Sequence, residues 1–284
     1  KINTDSPLQS IASVLFNQAK KQSGAINSIQ AIKEKTEKKL KKFQNQTEAE
    51  RNLEVVTEIR KKNWFERYRW FMTTDGFLTI GGRDAASNSA VIRKHLDKND
   101  KVFHGDIFGS PFFILKDAEN VPDTTMNEIA HATVCFSRAW REALYGVSAY
   151  WVLPDQVKKS APSGEFLPKG SFTIEGQRNF IKSETLKLAV GIIQLEDNDH
   201  VLTCGPPEAI KKNSICYAII EPNGLEMAEC AKKIRLEFLK IFEDITRKIN
   251  VDEFVRALPA GKSQIKEISL GDLEKGKFID NELD

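Results

Sequence analysis

The dipeptide Asp75-Gly76 constrains this chain more than any other feature, because it lies between two short runs rich in aromatic and β-branched residues and forces a tight reversal. An Asp-Gly step takes positive backbone angles readily, so residues 68–73 and 77–81 should fold back on each other as a hairpin. The second strand runs into Gly81-Gly82, which lets the chain turn sharply. Asp84 follows at the position of a helix N-cap, and residues 85–96 read as a helix with Val91, Ile92 and Leu96 on its apolar face. Glycines, Arg83 and a fresh helix start together suit an anion: unpaired amides and the positive end of the dipole would face a phosphate, with a forked guanidinium beside them. The competing reading is a simple turn in which Arg83 pairs with a nearby carboxylate. The pattern is neither a Walker A loop nor GxGxxG.

Composition narrows the class. The 284 residues are 40% hydrophobic and 29% charged, enough for a core, and no apolar run approaches membrane-spanning length. No signal peptide is expected. Cys135, Cys204, Cys216 and Cys230 lie far apart without metal-ligand spacing, so they read as buried, reduced thiols of a cytoplasmic protein. The net charge of +2 is unevenly placed: residues 1–62 carry 13 Lys/Arg against 7 Asp/Glu, whereas residues 63–220 carry 18 against 19. A nucleic-acid surface on the central region must therefore be a local patch.

From residue 8 to 43 the chain keeps a helical rhythm close to a heptad seam, carried by Leu8, Ile11, Leu15, Ala25, Ile29, Ile32, Leu40 and Phe43. Gln18, Gln22, Gly24 and Thr36 weaken it. Six lysines between Lys33 and Lys42 make either a solvated face or an RNA contact. A break is predicted at residues 44–47, with a second helix over 48–62, giving an antiparallel pair or one kinked helix. An exposed seam should find a partner, self-association included.

Beyond the first helix, residues 101–108 and 112–116 read as strands. His104 and Asp106 alternate with Phe103 and Ile107 and so share a face; a hydrogen-bonded pair fits better than a metal site, since no third ligand is evident. One helix is predicted over 126–144 with Trp140 in the core, then a strand over 147–153. Residues 156–172 hold two prolines, two glycines and three lysines, an ordered polar loop of a length that usually binds something. Lys158, Lys159, Lys169 and Arg178 could meet phosphates, and Phe166 and Phe172 could stack a base or anchor the loop. A hairpin around Gly176-Gln177, strands over 186–195, 200–204 and 215–221, a helix over 225–249 and a short one over 251–258 complete the pattern. The acidic remainder should be partly disordered. The fold class is thus α+β: a mixed, largely antiparallel sheet with packed helices over 63–262, preceded by a long coiled-coil-like arm over 1–62 and followed by an acidic tail over 263–284.

Four motifs recur together in a known family. Trp64-Phe65-Glu66-Arg67-Tyr68-Arg69-Trp70-Phe71, Gly81-Gly82-Arg83-Asp84-Ala85, Phe136-Ser137-Arg138-Ala139-Trp140 and Lys159-Ser160-Ala161-Pro162-Ser163-Gly164-Glu165-Phe166-Leu167-Pro168-Lys169-Gly170-Ser171-Phe172 resemble, in that order, the C-terminal RNA-binding domain of the NFACT family. That family includes NEMF and its archaeal and bacterial relatives. The resemblance implies a ribosome-associated quality control factor that engages an obstructed large ribosomal subunit and tRNA to tail stalled nascent chains without a template. In eukaryotes it also implies a ubiquitin ligase as partner. It implies no catalysis, cofactor or metal in this segment, and an RNA face of Arg83, Asp84, Asn88, His104, Asp106, Lys158, Lys159, Lys169 and Arg178. The alternatives are an RNA-processing or RNA-modifying enzyme using His104, Asp106 and Arg83, and a protein-interaction scaffold.

Overall fold

The computed structural model describes residues 7–51, 62–158, 170–195 and 199–273, and the chain divides into two units, Lys1–Glu54 and Val55–Asp284.

Among the described residues the first unit holds one helix, α1 (Leu8–Arg51). The predicted break at residues 44–47 is absent. Gln44, Asn45, Gln46 and Thr47 include neither proline nor glycine, and such residues cost a helix only tenths of a kcal/mol each, roughly, against alanine. Leu15, Phe16, Ile26, Ile29 and Ile32 are exposed along it. Most of the second predicted helix, 52–61, lies outside the described residues.

The second unit opens with the expected hairpin. Strands β1 (Arg69–Met72) and β2 (Leu78–Gly81) pair antiparallel with Arg69 opposite Gly81 and Met72 opposite Leu78. Thr73 N–H donates to Phe77 O at 2.9 Å, and Gly76 takes φ +85°. Helix α2 (Ala85–Lys94) packs on β2 and on β4 (Phe112–Leu115), the strand that follows β3 (Lys101–Gly105). Two helices, α3 (Asp123–Cys135) and α4 (Arg138–Glu142), replace the single one predicted. Ser137 separates them: its hydroxyl donates to Val134 O at 2.6 Å and accepts from Ala139 N at 3.0 Å. Trp140 is buried as predicted, its indole N–H donating to Lys262 O and Ser263 Oγ, each at 3.2 Å.

Strand β5 (Ser148–Val152) is followed by β6 (Val157–Lys158), β7 (Thr173–Ile174) and β8 (Asn179–Lys182). The predicted hairpin at Gly176-Gln177 does not form. β7 pairs with β6 and β8 with β5, so the segment between them crosses from a small ribbon to the main sheet. That main sheet has the order β1-β2-β4-β3-β5-β8, antiparallel throughout.

A second antiparallel sheet holds β9 (Leu188–Gln194), β10 (His200–Gly205) and, after α5 (Pro207–Asn213), β11 (Cys216–Leu225). The predicted helix 225–249 is broken at Phe242 into α6 (Met227–Ile241) and α7 (Glu243–Arg247), with α8 (Val251–Ala257) after it. The chain then returns as β12 (Ser263–Leu270) against β11. Residues assigned to a partly disordered tail are thus an edge strand, and those from 274 lie outside the described residues. Thr203 Oγ1 of β10 donates to Trp70 O of β1, tying the sheets together. All four cysteines are free and buried, as their spacing suggested.

Candidate nucleic-acid interface

Asp84 does what its position demands: extended at φ −151°, it accepts from Ser87 N at 2.7 Å and caps α2. Its carboxylate therefore sits at the helix start, where a phosphate would be repelled. Gly82 is needed for a close approach, since a Cβ there would fall 1.8 Å from Asn88 Oδ1. That oxygen accepts from Phe112 N at 3.2 Å and seats α2 on β4.

Arg83 turns away from the helix start. Its guanidinium donates to Tyr68 O at 2.8 Å and to Arg256 O. Arg69 beside it donates to Ala257 O and Leu258 O, at 3.4 and 3.2 Å, with its guanidinium 4.2 Å from the centre of the Phe136 ring. Both cations thus meet carbonyls at the C-terminal end of α8, where the helix dipole is negative. Burial, then the neighbouring Arg83, lowers Arg69 to about 9; burial, then Arg256, lowers Arg83 to about 10. Both remain charged at neutral pH. Neither the free fork facing a phosphate nor the carboxylate pair of the competing reading is what forms.

A cleft of about 440 Å³ opens on the other side of the corner. Gly82, Arg83, Asp84 and Asn88 make one wall, His104 and Tyr150 line it, Phe108 to Pro111 form a rim, and Gly170 to Phe172 close it. Gly170, at φ +85°, leaves room for nothing larger: a Cβ would stand 2.5 Å from Ala85 O. The end of the lysine-proline segment therefore packs directly on the start of α2. The two loops singled out in the sequence meet at one cleft.

His104 lies between Phe112 and Tyr150, ring centroids 4.5 and 5.8 Å away, with Nδ1 3.5 Å from the Tyr150 hydroxyl. Burial above all lowers its pKa to about 4, so the ring is neutral at physiological pH. The expected pairing with Asp106 gives way to Tyr150: Asp106 follows the end of β3, its N–H donating to Ser148 O at 2.8 Å, and it does not line the cleft. Lys158 is exposed on β6, bonded to Asp155 O at 3.0 Å and 3.7 Å from Glu175, also away from the lining. Arg178 is exposed with its guanidinium 4.8 Å from the centre of the Tyr150 ring. Lys159, Lys169 and Phe166 lie outside the described residues. Phe172 anchors the segment, packing edge-on against Phe112 at 5.5 Å. His104 and Arg83 both line the cleft but Asp106 does not join them, and among the described residues no group of three His, Cys, Asp or Glu could hold a metal.

Two exposed aromatics escaped sequence reasoning. Phe108, on the rim, is 87% exposed, and Phe180, on β8, is 56% exposed. Phe108 could have been suspected from its setting, an aromatic directly before the turn-forming run Gly109-Ser110-Pro111; the exposure of Phe180 depends on which strand it joins.

An antiparallel α+β domain with aromatic side chains at a cleft where two loops meet offers surfaces of the kind on which unpaired bases stack. Residues 67–176 match the NFACT protein RNA binding domain. The chain is 36% identical over 216 residues to the archaeal Rqc2 homolog aRqcH of Methanocaldococcus jannaschii, covering 75% of this chain and 31% of that protein. It is 31% identical over 229 residues to the ribosome quality control complex subunit NEMF homolog of Drosophila melanogaster, covering 80% and 22%. Against the NEMF subunit of Homo sapiens it is 33% identical over 171 residues, covering 60% and 15%. The chain carries an NFACT RNA-binding domain and is homologous to the aRqcH, NEMF and Rqc2 proteins. It spans less than a third of the length of each relative named. Among the described residues no helix is long and apolar enough to cross a membrane.

Proposed function

We propose that this chain is the RNA-contacting part of a ribosome quality control factor, engaging the large ribosomal subunit and tRNA in the cytoplasm while stalled nascent chains are tailed without a template. The observation that carries this reading is the meeting of the glycine-arginine corner and the end of the lysine-proline segment at one cleft. Arg178 and Lys158 are exposed, and α1 separately carries a lysine-rich stretch that offers charge for phosphates. The chain's role is binding and positioning. A ubiquitin ligase joins the assembly where the host is eukaryotic.

The test is binding of the chain to large subunits and to tRNA at two salt concentrations, for the wild type and a Lys158→Ala/Lys159→Ala variant. Affinity should fall steeply with salt, as phosphate contacts release counterions, and the variant should bind more weakly with a shallower salt slope. Salt-independent binding would instead fit a protein-interaction scaffold, and an unchanged double variant would remove the lysine segment from the RNA face.

A further inference from the structure

We propose that the cleft receives one unpaired nucleobase of RNA, with Phe108 closing over it and the aromatic row that ends at Phe180 carrying a neighbouring base; this deepens the RNA-binding reading above and rests on it.

The row follows from strand register. His104 pairs with Phe112 on one side and with Tyr150 on the other, and Tyr150 pairs with Phe180. Directly opposed residues point to the same face of a sheet, so four rings line up across β4-β3-β5-β8. Phe112 and Tyr150 are buried, His104 is half-buried, and Phe180, 5.6 Å from Tyr150, stands out at the edge. Arg178 covers the Tyr150 ring and so presents a flat cation beside Phe180. The open end of the row, Phe180 with the Arg178 guanidinium over Tyr150, offers the flat exposed groups on which bases stack, whatever their identity.

The cleft is built for a base and poorly for a phosphate. The amides of the glycine-arginine corner are already used: Gly82 N–H donates to Phe112 O at 3.1 Å, and Arg83 N–H and Asp84 N–H to Ser87 Oγ at 2.7 and 2.8 Å. Asp84 places a carboxylate at the helix start and Arg83 turns its charge elsewhere. What remains are ring faces and a few neutral polar atoms, chiefly the His104 imidazole and the Tyr150 hydroxyl, within a volume typical of small-molecule pockets. Such groups suit the hydrogen-bonding edge of a base. An apolar peptide would leave those polar atoms unmatched.

The test uses a short fluorescent single-stranded RNA of mixed sequence, its duplex, and an abasic strand of the same length, followed by anisotropy. The single strand should bind, with neither the duplex nor the abasic strand competing effectively. Phe108→Ala and Phe180→Ala should each weaken binding by roughly five- to a hundred-fold, the range for one lost stacking contact. Both side chains are largely exposed, so circular dichroism and melting should be unchanged. Wild-type affinity in both variants, or equal binding of the abasic strand, would overturn the proposal. Failure to bind the single strand, with salt-dependent binding of tRNA and subunits intact, would overturn it while leaving the RNA-binding reading in place. Loss of all RNA binding by the wild type would remove both.

Discussion

Arg83 stands 2.8 Å from the carbonyl oxygen of Tyr68, a residue fifteen positions earlier, and the same guanidinium holds the carbonyl of Arg256 near the end of α8. The residue that looked best placed to greet a phosphate is instead a three-way tie. It joins the entrance of β1, the corner before α2 and the last helix, while Arg69 holds the next two carbonyls of that helix. The guanidinium is thus committed to these carbonyls although Arg83 itself lies in the cleft wall.

Arg83→Ala leaves two carbonyls without their charged donor and should destabilise the domain by about 1–3 kcal/mol. Urea denaturation of both proteins measures this as a lower midpoint at unchanged slope. Arg83→Lys should recover only part of the loss, because an ammonium lacks the planar fork. Binding of RNA by the folded fraction should remain as in the wild type; a stable Arg83→Ala protein with lost binding would return this side chain to the RNA face.

What could be read from the chain alone was local. Asp75-Gly76 and Asp84 act within a few residues, so the hairpin and the cap of α2 are visible in their chemistry. Ser137 and Phe242 interrupt helices whose apolar spacing continues past them, and spacing carries no sign of where the backbone leaves the helix. β12 contributes Ile265 and Ile268 to a sheet edge between charged residues, a pattern sparse enough to pass for a tail. In the same way Arg83 advertises a forked donor, yet its acceptor at Arg256 lies 173 positions away. The cleft's aromatic row is a matter of register among four strands, which composition cannot supply.

The return strand predicts that truncation should be costly at a defined point. β12 covers β11 from Cys216 to Leu225, and Ser263 also receives the indole N–H of Trp140. A chain ending at Gly261 would expose the backbone groups of β11 as a bare, largely buried strand and should melt much lower or aggregate. A chain ending at Leu273 retains the strand and serves as the reference in the same thermal scan. Equal melting of the two would mean that β12 adds little to the domain.

Glu128 predicts a pH dependence whose sign is fixed. Burial above all, with repulsion from Asp75 and Glu208, raises its pKa from 4.5 to about 7, against a hydrogen bond from Thr74 N–H that favours the charged form. Between those values the folded protein keeps a proton that the unfolded chain has released, so the stabilising contribution is full below about pH 4.5 and lost as pH rises through about 7. Glu128→Gln retains an acceptor for Thr74 without the charge. The variant should match the wild type near about pH 5 and melt higher near about pH 8. Parallel melting curves across that range would show that Glu128 is ionised in the fold throughout.

The arm makes the last prediction. Leu15, Ile29 and Ile32 are exposed on α1, an apolar line on an otherwise charged helix. In the heptad frame set by Leu8 and Leu15, Ile29 and Ile32 fall at the two seam positions, whereas Gln22 and Thr36 weaken the same line. A seam of that kind should associate reversibly with a second copy, tightly enough to appear on concentration and loosely enough to dissociate on dilution. Sedimentation velocity over a concentration series should show a monomer moving toward a dimer. Ile29→Lys/Ile32→Lys, two changes to a good helix former on an exposed face, should hold the chain monomeric without altering helicity. A wild type that stays monomeric at every concentration would mean that Gln22 and Thr36 interrupt the seam too severely for it to close on itself.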